Sequence, residues 1–178
     1  TRNGKYVVFS IDYRWSGTAD GDARPNEWYE LIEDCFGAVL HIQEHASEYG
    51  LDTKRLAVTG DSAGGHLCTS VANMIERVGD GGFGVNPGVF EYMPTYMPKG
   101  MTVEKTRKSL KAIKAVAPNY GVFSAEGVGR FVRNLPAEGR AALAPLDNVP
   151  AASVRKIPHW INRGTADPLI TEESTMEY

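Results

Sequence analysis

Apolar positions along the chain follow two rhythms. YVVFSIDYRW (6–15) is a short β-branched and aromatic run closed by a polar turn, and RLAVTG (55–60) and AIKAVAP (112–118) resemble it. IPHWINRGTAD (157–167) starts the same way and ends in a loop. Each run predicts a buried strand. Between them the spacing changes. From 28 to about 49, Leu31, Ile32, Cys35, Ala38, Val39 and Ile42 recur at intervals that put them on one helical face, and Gly50 follows as a stop. A second helix is predicted over 63 to about 77. SGTADGDARPNE (16–27) reads as a loop and GDGGFGVNPG (79–88) as a break, after which the chain is irregular to about Gly100. Residues 124–149 hold short helices punctuated by Pro136, Pro145 and Pro150.

Strands alternating with helices predict βαβ units, hence a mostly parallel sheet in a three-layer α/β/α sandwich. Ligand sites in such sheets gather at the carboxyl ends of strands. Here those ends are 13–15, Ser62, 118–120 and Asp167. The chain reads as one domain over 1–178, with 79–110 and 121–149 as insertions or lid-like segments.

Composition narrows the function classes. The 178 residues are 42% hydrophobic and 23% charged, enough for one real core. A net charge of −3 gives no electrostatic reason to expect nucleic acid. The one basic stretch, 99–114, lacks aromatic interleaving and reads as a solvated helix face. No apolar run approaches the ~20 residues of a membrane span. Cys35 and Cys68 sit in helical segments and make no disulfide framework. No signal-peptide pattern opens the chain, which says little of the compartment where an end is a cut; localisation is left open, with the cytoplasm the favoured expectation. TRNGKYVVFS lacks an initiator Met and ITEESTMEY stops inside a helical pattern, so both ends are expected to be cuts.

The chemistry centres on VTGDSAGGHL (58–67). Gly60-Asp61-Ser62-Ala63-Gly64 fits G-x-S-x-G between a predicted strand and a predicted helix. A turn that sharp forces the serine into a strained backbone conformation and lifts its Oγ above the sheet, where the helix N-terminus points. Glycines two before and two after are expected because a Cβ there would collide. Ser62 is the candidate nucleophile, and the Ala63 N–H the candidate oxyanion donor.

GDSAGGHL resembles the nucleophile elbow of α/β-hydrolase esterases, in particular the hormone-sensitive-lipase-like branch and its acetyl- and feruloyl-esterase relatives. IDYRW (11–15), DCFGAVLHIQEHASEYGLDTKRLAVTG (34–60), APLDNV (144–149) and IPHWINRGTADPLI (157–170) resemble other parts of that family in the same order. The resemblance implies an acyl-enzyme mechanism on a small-molecule ester, with no cofactor. It makes Asp167 the triad acid, ahead of Asp147 and Asp61, because Asp167 follows a strand.

The resemblance also exposes what is missing. The family's base is a histidine one strand beyond the acid, and this chain ends at Tyr178. His66 reads as structural, His159 stands at the wrong end of its strand, and His41 and His45 precede the serine. HIQEH (41–45) matches a metal-binding H-x-x-E-H, but no third ligand is suggested and no metal is expected. An HGGG-type oxyanion motif, which in the family precedes the strand matching 6–13, is absent too. The strand that carries it lies between those matching 6–13 and 55–60. Those two are therefore expected not to pair, with a second chain or a missing segment completing the sheet. Two other readings stay open: a peptidase or acyltransferase of the same fold, and a hydrolase-fold binding protein without catalysis.

Overall fold

The computed structural model describes residues 6–17, 24–82, 91–132 and 134–178. In chain order the elements are α1 (Trp28–Glu44), β1 (Leu56–Asp61), α2 (Ala63–Asn73), a 3-10 turn (Ile75–Arg77), α3 (Val103–Leu110), β2 (Ile113–Asn119), α4 (Ala125–Phe131), α5 (Ala137–Leu143) and α6 (Glu172–Met176). α1 ends five residues before the predicted limit, and 45–50 form turns closed by Gly50 at φ +64°. Its last buried residue is Leu40, so nothing beyond it packs well enough to sustain another helical turn.

β1 and β2 form a parallel ladder from Leu56↔Ile113 to Asp61↔Asn119. Residues 157–162 run beside β2 as a third line, pairing only at Val116↔His159 and Asn119↔Asn162. The reason lies in β2. The ladder proceeds through Val116 N–H to Pro158, Trp160 N–H to Val116, Asn162 N–H to Pro118 and Tyr120 N–H to Asn162. The donor missing from this alternation is Pro118, which has no N–H to give. The predicted fourth strand is therefore two bridges flanking a proline gap.

The predicted strand at 6–15 is a correction. It forms no ladder among the described residues, and Tyr6, Val7 and Val8 are 72%, 52% and 75% exposed. An apolar β-branched run becomes a buried strand only if neighbours take its N–H and C=O groups. β1 does not. The far end of the run is nonetheless held firmly. Arg14 donates from Nε and Nη2 to the two Asp34 oxygens at 2.9 and 2.8 Å, and from Nη1 to Glu30 at 3.1 Å. Tyr13 packs on the core.

α2 lies across both strands, buried from Gly65 to Asn73. Its polar side chains are satisfied in place: Thr69 Oγ1 donates to Gly65 at 2.7 Å and Ser70 Oγ to His66 at 2.8 Å. α1 packs against α2 and α3, with Ile32, Phe36 and Leu40 in the core beside Val71, Ile75 and Leu110. The carboxyl end of α5 is tied down by buried side chains from elsewhere. Tyr92 Oη donates to Ala142 at 2.8 Å, His66 Nε2 to Leu143 at 2.8 Å, and Asn73 Nδ2 to Pro145 at 3.0 Å. These are carbonyls a helix end leaves unpaired. This is an α/β-hydrolase fold in incomplete form: a parallel sheet with helices packed against it.

Candidate active site

Ser62 stands where β1 turns into α2, at φ +52° and ψ −115°. Both main-chain groups are committed. Its N–H extends the ladder to Asn119 at 3.0 Å, and its C=O accepts the His66 N–H at 3.1 Å as the first helical bond. A left-handed serine persists only when its surroundings over-determine it. The close approach that permits it is made by glycines. A Cβ on Gly60 would land on the Gly64 carbonyl, and one on Gly65 would sit 2.7 Å from the Asn119 carbonyl oxygen. The expectation for Gly64 itself is corrected: a Cβ there meets nothing within 4 Å. Gly65, next in the chain, carries the constraint instead, backed by Gly121. Ser62 is exposed, and neither its Oγ nor the Ala63 N–H has a hydrogen-bond partner among the described residues.

Asp167 follows the third line of the sheet. Its Oδ1 accepts the N–H groups of Leu169 at 2.9 Å and Ile170 at 3.0 Å. Those two bonds, Ile170 first, hold the carboxyl below its ordinary value. Tyr120, at φ +38°, stands between the elbow and this loop. Desolvation, then the Asp61 charge and the hydrogen bond to it, and last the Asp167 charge push its phenol up. Thus Ser62, Tyr120 and Asp167 share the carboxyl edge of the sheet.

The histidines are all engaged elsewhere. His66 is buried against Trp28, ring centroids 5.3 Å apart, and desolvation pushes its imidazole down to about 4. His159 is enclosed by a chain of bonds: Asn73 Nδ2 donates to Tyr178 Oη at 2.7 Å, Tyr178 Oη meets His159 Nε2 at 2.9 Å, and His159 Nδ1 faces the Ile157 carbonyl at 3.0 Å. A carbonyl only accepts, so Nδ1 carries the proton and Nε2 receives the tyrosine's. At the end of α1, the ring centroids of His41 and of the capping His45 lie 4.4 Å apart, His41 against Tyr96 and His45 Nδ1 2.8 Å from Glu48. No group of three metal-ligating side chains occurs among the described residues.

Of the aromatic residues in the irregular segments, Tyr92 and Phe123 are core, Tyr96 lies against His41, Phe131 stacks on Trp28 at 6.4 Å, and Phe83 and Phe90 lie outside the described residues. A cleft of ≈ 290 Å³ lies between 121–131 and the loop after Asp167, lined by Phe123, Ser124, Arg130, Phe131, Leu169 and Thr171. A larger open cleft, ≈ 590 Å³, is lined by lysines including Lys54, Lys105 and Lys114. It lies at the amino ends of β1 and β2, away from Ser62. No helix among the described residues is long and apolar enough to cross a membrane.

Sequence reasoning missed Gly65, Gly121, Asn119 and Asn162. The third glycine of GDSAGG is the available signal for Gly65; Gly121 and the amides carry no local motif.

Comparison with known proteins agrees with this geometry. Residues 2–125, 124 of the 178, match the BD-FAE family model. Carboxylesterase NlhH of Mycobacterium tuberculosis is 36% identical over 74 residues, 41% of this chain and 21% of that one. Esterase LipI of the same organism is 34% identical over 73 residues, again 41% and 21%. A truncated carbohydrate esterase from gut microbiota superposes with a TM-score of 0.64 at 17% identity, covering 94% of this chain and 58% of that one. A thermophilic esterase from Thermogutta terrifontis, Est2 with propionate bound, gives 0.56 at 20% identity, covering 93% and 52%. The match thus spans about a fifth of the curated relatives' length and just over half of these solved chains. A parallel sheet with a left-handed serine between β1 and α2, and a family model matched over more than half its length, place the chain in the BD-FAE family.

Proposed function

We propose that this chain carries the nucleophile and acid of a serine carboxylester hydrolase. The observation that carries the reading is Ser62: its backbone is held at φ +52° by the ladder on one side and the first helical bond on the other, which leaves Oγ exposed and without a partner. Ser62 Oγ attacks the acyl carbon and gives its proton to a histidine lying outside 1–178. The oxyanion that forms accepts the Ala63 N–H. Collapse breaks the ester C–O bond, the imidazolium protonates the departing alkoxide, and water then releases the acyl group by the reverse sequence. Asp167 holds the imidazole. Its Oδ1 is fixed by two backbone N–H groups, while Oδ2 has no partner among the described residues.

The substrate is a small-molecule ester. Residues 79–110, of which 83–90 lie outside the described residues, and 121–149 are insertions or lid-like segments, and 121–131 forms one wall of the cleft beside the Asp167 loop. A further strand between 6–13 and β1, supplied by another segment of the parent protein or by a second chain, completes the sheet.

A fluorophosphonate probe tests the reading. It should label the full-length protein at Ser62, and Ser62→Ala should abolish labelling. Labelling that survives the substitution refutes the assignment.

A further inference from the structure

The three lines of the sheet end on one row of side chains. Asp61 is the register partner of Asn119, and Asn119 is the bridge partner of Asn162. Cross-strand partners stand opposite one another on the same face, so their side chains meet. Asn119 Nδ2 donates to Asp61 Oδ1 at 2.7 Å, and Asn162 Nδ2 donates to Asn119 Oδ1 at 3.0 Å. Trp160 Nε1 closes the row on Asn162 Oδ1 at 3.1 Å. The main chain repeats the linkage: Asn119 C=O takes the Ser62 N–H, and Asn162 C=O takes the Tyr120 N–H at 2.6 Å.

The row's position is informative. Asp61 immediately precedes the elbow serine. Asn162 ends the line that leads into the Asp167 loop. Asn119 joins both through one side chain; Tyr120 also reaches both, its N–H donating to the Asn162 carbonyl and its phenol to the Asp61 carboxylate. An exposed hydrogen bond of this kind adds only about 1 kcal/mol to stability, so its effect on global folding is small. Its effect on the angle between two loops can be large. An amide is also the one neutral side chain of this length that donates to a carboxylate on one side and accepts from an amide on the other.

We infer that Asn119 is a positioning residue for ester hydrolysis: by joining Asp61 to Asn162 it sets the spacing between the Ser62 elbow and the Asp167 loop. The inference rests on the Ser62 and Asp167 reading above.

The polarity of the row supplies the test. Asn119→Asp keeps the acceptor for Asn162 but faces the Asp61 carboxylate with a second one across a 2.7 Å contact, and like charges that close force the strand ends apart. Adding Asp61→Asn reverses the pair: the amide introduced at 61 donates to the carboxylate introduced at 119, which still accepts from Asn162. In the full-length protein, kcat and KM on p-nitrophenyl acetate, the rate of fluorophosphonate acylation at Ser62, and thermal melting are measured together. Asn119→Asp should lower kcat and the acylation rate about 10–100-fold, the scale of a small misplacement of reacting groups, with KM changed less than about twofold. The double variant should recover most of the loss. Asn119→Ala, which introduces no charge, should lower kcat without rescue by Asp61→Asn, and it carries the test if the aspartate variant melts early. Wild-type kcat in folded Asn119→Asp and Asn119→Ala, or no recovery in a double variant that melts like wild type, overturns the inference. A wild-type protein that is neither labelled nor active refutes the Ser62 reading instead.

Discussion

Acidification through the His66 titration should destabilise the protein. The imidazole is only 3% exposed, lies against the Trp28 ring, and donates from Nε2 to the Leu143 carbonyl at 2.8 Å. Neutral and charged imidazole can both donate that bond, which by itself favours the charge, but burial outweighs it and among the described residues no carboxylate compensates a charge. Burial therefore pushes the group down to about 4, whereas the unfolded chain titrates near 6.5. The sign follows from linkage. Below about pH 6.5 the unfolded chain takes up a proton that the folded chain refuses, so stability falls as pH drops and the loss levels off below about pH 4. A difference of about 2.5 pK units at ~1.36 kcal/mol each gives roughly 3 kcal/mol. On a domain of this size that is a fall in Tm of roughly 6–12 °C. Glu33 acts oppositely in the same range: burial raises its carboxyl to about 7, so the folded state takes its proton first and gains stability as pH falls. A comparison between proteins removes that contribution. His66→Gln keeps a side-chain N–H for Leu143 and cannot titrate. Urea unfolding of wild type and His66→Gln, followed from about pH 7 to about pH 4, should show the wild type losing roughly 3 kcal/mol more than the variant. Curves that stay parallel within about 0.5 kcal/mol would refute a buried, neutral His66.

The adjacent glycines of the elbow should respond in opposite ways. Gly65→Ala puts a Cβ 2.7 Å from the Asn119 carbonyl oxygen and 3.0 Å from Gly121 Cα; neither backbone atom can yield, so a loss of about 1–3 kcal/mol is expected in chemical denaturation. Gly64→Ala enters open space in a helix and should be neutral or gain up to about 1 kcal/mol; equal losses at both positions would contradict the packing. Arg14→Met removes the paired contacts to Asp34 and the one to Glu30; Glu30 keeps Arg24, but the half-buried Asp34 carboxylate loses its charged partner at a cost of about 1–3 kcal/mol. It should also speed proteolytic cleavage within 6–15; an unchanged cleavage rate would mean that Tyr13 alone holds the segment.

What could be read in advance was whatever a local pattern determines. The elements α1, α2, β1 and β2 fell within a few residues of their predicted limits, because apolar spacing alone identifies a buried face. The elbow was legible for the same reason: a tight strand-to-helix turn needs small residues within five positions of one another, and GDSAGG shows them. Even so, the constraint fell on Gly65 and not Gly64. Which glycine faces the neighbouring loop depends on how α2 is rotated over β2, and α2's own sequence does not contain Gly121. The run at 6–15 failed differently. Its residues have strand propensity, but a strand is a relation between two segments, and among the described residues no segment takes its backbone groups. Pro118 shows the converse. Its lack of an N–H was visible from the start, yet it became a gap only once 157–162 was known to lie on that side of β2. The row Asp61, Asn119, Asn162 is the extreme case. Its members are 58 and 43 residues apart along the chain, none lies in a shared motif, and each alone is an ordinary polar residue at a strand end. Register alone makes them neighbours, so the contacts that bring the elbow and the Asp167 loop to one edge are the part of the candidate site that no single stretch of sequence displays.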